Sequence, residues 1–355
     1  MAYRLVEELA LKRRLDTDSY RTLITASANN DAVFAHLRDK AAKTAITKFG
    51  YGIFIRGLIE ISSYCSNDCL YCGLRRSNIE AERYRLSDED IMECCATGYD
   101  IGFRTFVLQG GEDRALTDDR LIPIVSNIHG KWPEAAITLS LGERTDDSFR
   151  KLFHAGASRY LLRHEAADES LYNSLHPVQM SWSNRISCIN RLIGIGYQTG
   201  MGMIVGLPGQ SVDSLIKDLS LMEKIQPHMI GIGPFIPHRR TPLCNNRPGD
   251  IRLTLIMIAI SRLMFPDALI PATTALATVS STGRKEGILS GANVVMPNLS
   301  PVSTRHKYAI YDNKVSSAAE AAENINLLEQ ELNRIGYRIN YSRGDYNTDI
   351  NHEQI

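Results

Sequence analysis

The chain has 355 residues, of which 44% are hydrophobic and 23% charged, enough apolar material for a large core and too much for a disordered chain. Forty basic residues balance forty acidic ones, which argues against a general nucleic-acid binder or a protein held electrostatically on a membrane. No run of about 18 apolar residues is present to span a bilayer, and the opening MAYRLVEELALKRRLDTDSY is charged throughout with no signal-peptide core, so a cytoplasmic protein is expected.

Residues 1–50 read as a helical extension. Leu5, Leu9 and Leu11 fall on one charged helix, Asp16 or Thr17 is placed to cap a second, and 30–48 is Ala-rich with helical spacing. Over 51–312, short apolar runs alternate with longer amphipathic ones. The strand candidates are 55–61, 105–109, 136–141, 159–163, 199–205, 229–233, 269–273 and 293–296, and the helix candidates are 88–102, 118–129, 146–155, 182–195, 211–225, 254–264 and 284–290. Strand-then-helix alternation implies parallel strands joined by right-handed crossovers. Eight such units make an α/β protein with a complete (β/α)8 TIM barrel, and a doubly wound open sheet is the alternative. Residues 313–355 should form a C-terminal helix, 317–335, stopped at Gly336, and a polar tail whose last fifteen residues are expected to be mobile.

Seven cysteines, an odd number without a secretion signal, do not make a disulfide framework. Cys65, Cys69 and Cys72 stand as C-x3-C-x2-C directly after the first strand. Structural zinc usually takes four ligands in two separated pairs, and no second CxxC exists here. A [4Fe–4S] cluster held by three thiolates keeps one iron open for a ligand. Three free thiols are the plain alternative. Cys94 and Cys95 lie on a helix, where adjacent side chains diverge by about 100°, so one buried and one partly exposed thiol are expected and no second cluster. Cys188 and Cys244 stand alone.

Other strand ends carry polar residues. Gln109, Gly110, Gly111 and Glu112 follow the second strand, where glycines allow close backbone approach to a ligand or simply make a turn. Ser140 and Glu143 flank the end of the third. Arg163, His164 and Glu165 end the fourth, a cluster costly to bury unless it is paired or binds a ligand; His164 reads as a structural hydrogen-bonder. GMIVGLPGQ at 202–210 is a strand opening into a Gly-Pro-Gly loop, with Met203 facing inward. Pro271, Ala272, Thr273 and Thr274 end the seventh strand and offer two hydroxyls to an anion, or line the core. Met296 ends the eighth, as cavity wall or core filler. Glu60 is a buried-carboxylate candidate.

With Tyr71 before its last cysteine, the triad resembles the radical S-adenosylmethionine (SAM) enzymes. The blocks IEISSYCSNDCLYCGLRRSN, RYRLSDEDI, FVLQGGED, ITLSLGE, RYLLRHE, GMIVGLPGQ, GIGPFIPH, PATTA and NVVMPN, in this order over roughly 1–312, resemble the HydE-type maturases of [FeFe]-hydrogenase. Methylornithine synthase and biotin synthase are more distant relatives. The resemblance implies a [4Fe–4S] cluster on Cys65, Cys69 and Cys72, with SAM on the open iron. Reductive cleavage of SAM then gives methionine and a 5′-deoxyadenosyl radical. It also implies SAM contacts from Tyr71, Gln109, Gly110, Gly111, Ser140, Glu165 and Arg185, and a substrate space bounded by Arg163, Thr273, Thr274 and Met296, where the threonines bind a small anion. The implied substrate is an iron–cysteine complex bearing CO and cyanide, attacked at sulfur. A HydG-like maturase would deliver it and a HydF-like one receive the product. Some relatives hold an auxiliary cluster on C-terminal cysteines; DNKVSSAAEAAENINLLEQ has none, so no second cluster is expected. A methylornithine synthase-like mutase and a non-catalytic Fe–S carrier are the other readings.

Overall fold

The computed structural model describes residues 1–314 and 322–346. Three helices, Ala2–Lys12, Thr17–Asn29 and Asp31–Phe49, open the chain. Asp16 caps the second by accepting from Ser19 N, and Asn30 caps the third by accepting from Ala32 N and Val33 N. They pack on the helix Ile251–Met264, whose residues from Thr254 onward are all buried. This explains why that helix is apolar on every side: it has a barrel beneath it and helices above.

The strands are β1 (Gly52–Ile55), β2 (Gly57–Ser62), β3 (Thr105–Gly110), β4 (Ala136–Ser140), β5 (Arg159–Leu161), β6 (Gln198–Val205), β7 (Met229–Pro234), β8 (Val294–Val295) and β9 (Arg338–Asn340). From β2 to β7 they pair in sequence order, all parallel. Single parallel pairs then link Met229 with Leu269, Pro271 with Val294, and Leu58 with Asn298. Backbone contacts thus run around eight positions, the α/β barrel expected. The seventh position is thinner than expected because Pro271 has no N–H to give a ladder.

Other boundaries also differ. The first strand divides at Arg56: β1 pairs with β8 and β9, whereas β2 pairs with β3. The short helices Glu169–Leu175 and Thr274–Val279 were not expected. The first is bracketed by the cap Asp168, which accepts from Leu171 N, and by Pro177, which drives His176 into an extended conformation. Of the expected 317–335 helix, the first part lies outside the described residues, and Ile325–Asn333 is helical.

Of the fifteen-residue tail expected to be mobile, the first six residues are held in place and 347–355 lie outside the described residues. Residues 341–346 are fixed against the barrel end opposite the cysteines. The wholly buried Arg159 donates from Nη2 to Asp345 Oδ1 at 2.7 Å and to Arg343 O at 3.1 Å. Thr105 Oγ1 donates to Arg343 O at 2.8 Å, and the Tyr346 ring meets the His228 ring edge-on. The polar tail supplies a counter-charge to a guanidinium that has no exposure.

Candidate functional site

The loop after β2 carries the three cysteines, and arginines set its path. Arg83 donates to the carbonyls of Ser63, Leu74, Arg75 and Asn78. Arg75 pairs with Asp68 at 2.8 Å. At the base of the loop, Asp113 receives Nε and Nη2 of Arg85 at 2.6 and 3.0 Å, and that guanidinium lies 3.7 Å from the centre of the Tyr64 ring. Gly111 at the end of β3 passes so close that a Cβ there would lie 2.3 Å from the Tyr64 carbonyl oxygen, a position only glycine tolerates.

Cys65, Cys69 and Cys72 are unpaired thiols facing one cavity of about 320 Å3 at the C-terminal ends of the strands. Burial pushes all three thiols up. Cys72 reaches about 12, with Cys65 adding to the effect, and Cys69 is raised further by its two sulfur neighbours. Three thiolates are therefore unfavourable in this pocket alone, and a bound cationic metal centre would reverse that balance. Among the described residues no group of three His, Cys, Asp or Glu forms a site for one metal ion. A cubane cluster needs none, because it spreads its thiolates over different irons.

The same cavity is lined by Tyr71, Gln109, Gly110, Gly111, Ser140, Arg163, Glu165, Thr273, Thr274 and Met296, from or just beyond six strand ends, and by Arg185 from the helix Trp182–Ile195. Glu165 has φ 62°, a left-handed backbone unusual for a side-chain residue. It is held there by Glu165 N donating to Gly202 O at 3.0 Å and Ile204 N donating to Glu165 O at 3.1 Å. Its Oε2 is buried with no partner among the described residues, so it is available to a ligand. Arg185 is already engaged. Its Nε donates to Glu143 Oε1 at 2.7 Å and its Nη1 to Arg163 O at 3.0 Å, while Glu112 lies 3.7 Å away. Burial alone would lower the Arg185 pKa, but Tyr172, Glu143 and Glu112 outweigh it and hold the guanidinium charged.

Across the cavity, Gly231 and Gly233 occupy alternate positions of β7, hence one face. A Cβ on Gly231 would lie 3.2 Å from Arg163 Nε, and one on Gly233 3.3 Å from Thr273 Oγ1, so side-chain-free positions make room for both. Thr273 Oγ1 donates to Ile232 O at 3.4 Å. Glu60 is fully buried, with Lys314 on Oε1 and Asn298 Nδ2 donating to Oε2 at 3.0 Å. Lys314 also donates to Tyr308 O at 3.2 Å, and the Tyr308 hydroxyl accepts from Gln109 Nε2 at 3.4 Å.

His164 turns away from the cavity, its Nε2 3.0 Å from the equally buried Asp218 Oδ1. Met203 packs in the core. Cys94 and Cys95 are both buried, which corrects the expected exposed partner: both faces of that helix position are covered. Sequence reasoning missed Arg83, Tyr308, Lys314, His176 and Met180; Arg83 acts on the adjoining cysteine loop through backbone carbonyls, and the others meet residues distant in sequence. A larger basin of about 540 Å3 shares Leu58, Thr274, Met296, Tyr308, Tyr311 and Lys314 with the cavity but is lined by none of the cysteines.

The profile of the radical SAM superfamily matches residues 59–222. The chain is 44% identical to the [FeFe] hydrogenase maturase subunit HydE of Thermotoga maritima, over 81% of this chain and 82% of that protein. It is 31% identical to the 3-methylornithine synthase of Methanosarcina acetivorans, over 84% of each. Among solved structures, methylornithine synthase (PylB) superposes with a TM-score of 0.84 at 28% identity, covering 95% of this chain and 97% of that one.

Proposed function

Because the chain belongs to the radical SAM superfamily, and within it to the HydE-type maturases, we propose that it is a radical SAM enzyme of [FeFe]-hydrogenase active-site assembly. The reading has Cys65, Cys69 and Cys72 holding a single [4Fe–4S] cluster. The observation that carries it is one cavity faced at once by three unpaired cysteines and by a buried carboxylate oxygen, Glu165 Oε2, that lacks a partner among the described residues. When bound, the reduced cluster supplies the electron that splits SAM into methionine and a 5′-deoxyadenosyl radical.

In this reading the chain's own residues bind and enclose. Glu165, Gln109, Ser140 and the backbone at Gly110 and Gly111 hold the polar parts of SAM. Tyr71 flanks it, and Arg185 presents a charge fixed by Glu143. Arg163, Thr273, Thr274 and Met296 bound the substrate space, which suits a small molecule with an anionic group. Enclosure matters because water and stray C–H bonds would consume the radical. The substrate is then a sulfur-containing iron–cysteine carbonyl cyanide complex, with HydG-like and HydF-like maturases as upstream and downstream partners. No helix among the described residues is long and apolar enough to cross a membrane, in keeping with a cytoplasmic enzyme.

Anaerobic reduction of the iron-loaded protein with SAM should release 5′-deoxyadenosine, and the protein should replace HydE in a cell-free hydrogenase maturation assay. Release without replacement would reject the maturase role and keep the chemistry. The likeness to 3-methylornithine synthase over 84% of each chain favours one second reading, a lysine mutase. Formation of methylornithine from L-lysine in the same mixture would establish it.

A further inference from the structure

The cysteine loop is gripped from outside by a segment that neither the sequence motifs nor the comparisons single out. Leu70 N, between Cys69 and Cys72, donates to Leu175 O at 2.9 Å. The Tyr71 hydroxyl lies 2.9 Å from His176 Nε2. Met180 Sδ lies 3.7 Å from Cys69 Sγ. Three successive residues of the loop, Cys69, Leu70 and Tyr71, are thus each met by residues 175–180.

The His176 ring is itself locked. Its Nδ1 is 2.8 Å from Tyr172 O, a carbonyl that only accepts, so Nδ1 carries the proton and Nε2 of the neutral ring is the acceptor for Tyr71. The ring stacks on Tyr172 with centroids 3.9 Å apart. The helix before it is tied to the barrel through Asp168, which accepts from Lys217 Nζ at 2.7 Å. Pro177 ends that helix and swings His176 toward the loop.

We infer that residues 175–180 form a clasp that holds the cysteine loop in its ligand-ready shape before any metal binds, with His176 as the positioning residue for Tyr71. The second half of this inference rests on the radical SAM reading, in which Tyr71 flanks SAM; the first half does not. His176 is outside the cavity lining and reaches the cysteine loop through the Tyr71 hydroxyl.

The test separates the two. In metal-free full-length protein, amide hydrogen exchange over residues 65–76 should be slow. It should accelerate at least ~10-fold in His176→Phe, which keeps the stacking ring but removes the Nε2 acceptor along with the Nδ1 donor to Tyr172 O, and in Tyr71→Phe, which removes only the donor to His176. His176→Gln, which restores an acceptor near the Nε2 position, should recover most of the protection. In iron-loaded protein, His176→Phe and Tyr71→Phe should each weaken SAM binding by roughly 5-fold, and the double variant no further, since both remove the same Tyr71–His176 hydrogen bond. Unchanged exchange in His176→Phe overturns the clasp whether or not SAM binds. Additive losses in the double variant overturn the positioning role. Wild-type protein with a protected loop but no SAM binding would reject the radical SAM reading and leave the clasp standing.

Discussion

Arg185 joins two strand ends through Glu143: its Nε donates to Glu143 Oε1 at 2.7 Å, just past β4, while its Nη1 donates to Arg163 O at 3.0 Å, just past β5. Both side chains are largely buried, at 8% and 14% exposure. Arg185 lines the cavity, and the same guanidinium also ties the two strand ends together. Glu143→Ala leaves Glu112, 3.7 Å away, as the remaining carboxylate. The variant should lose about 3 kcal/mol of stability, the lower end for a broken buried pair, measured by urea unfolding. SAM affinity should fall in parallel, measured by equilibrium binding.

Each of Cys65→Ala, Cys69→Ala and Cys72→Ala should abolish 5′-deoxyadenosine formation, because three thiolates are the minimum for this type of cluster and Cys94, Cys95 and Cys188 are buried elsewhere in the core. Iron analysis of anaerobically loaded wild-type protein should give about four irons per chain. A reproducible value near twice that would reveal a second cluster, and SAM cleavage by any one variant would sink the ligand assignment.

The barrel was legible because its signal is local. Alternating apolar runs and amphipathic segments encode β2 to β7 and the longer helices between them, and Cys65, Cys69 and Cys72 lie within one short loop. Two expectations failed for causes far away in sequence. Arg159 and Asp345 are 186 residues apart, so a polar tail looked free until its partner was placed. Tyr71 and His176 are 105 residues apart, and nothing around His176 announces what it meets. The seventh strand failed for a local reason, the missing N–H of Pro271, which apolar patterning does not weigh.

Asp345 gives the tail a pH signature. Burial pushes its carboxyl up, but the hydrogen bond and charge of Arg159 push it down further, so it titrates below the ordinary aspartate value of 3.8. The folded protein therefore holds this proton more weakly than the unfolded chain does. The stabilisation is complete above 3.8 and is lost as pH falls through the lower folded value. Asp345→Asn should cost about 2 kcal/mol near pH 7. The gap in thermal midpoint between it and wild type should close in strongly acidic buffer. A gap independent of pH would mean that shape rather than charge holds the tail.

The threonines at the end of the seventh barrel position test where substrate sits. Thr273 and Thr274 line the cavity together with Arg163, and Thr273 Oγ1 uses its proton only on Ile232 O at a long 3.4 Å, so it is available as a donor to a closer acceptor. Replacing both with valine keeps the shape nearly constant and removes both donors. One hydrogen bond to a charged group is worth about 1.5–3 kcal/mol, so the double variant should bind an anionic substrate at least ~10-fold more weakly. SAM affinity should hold, because the residues proposed to anchor it lie on the opposite strand ends. A variant that processed substrate normally, or that lost SAM binding and turnover together, would return these threonines to the barrel wall and move the substrate site toward the cysteine loop.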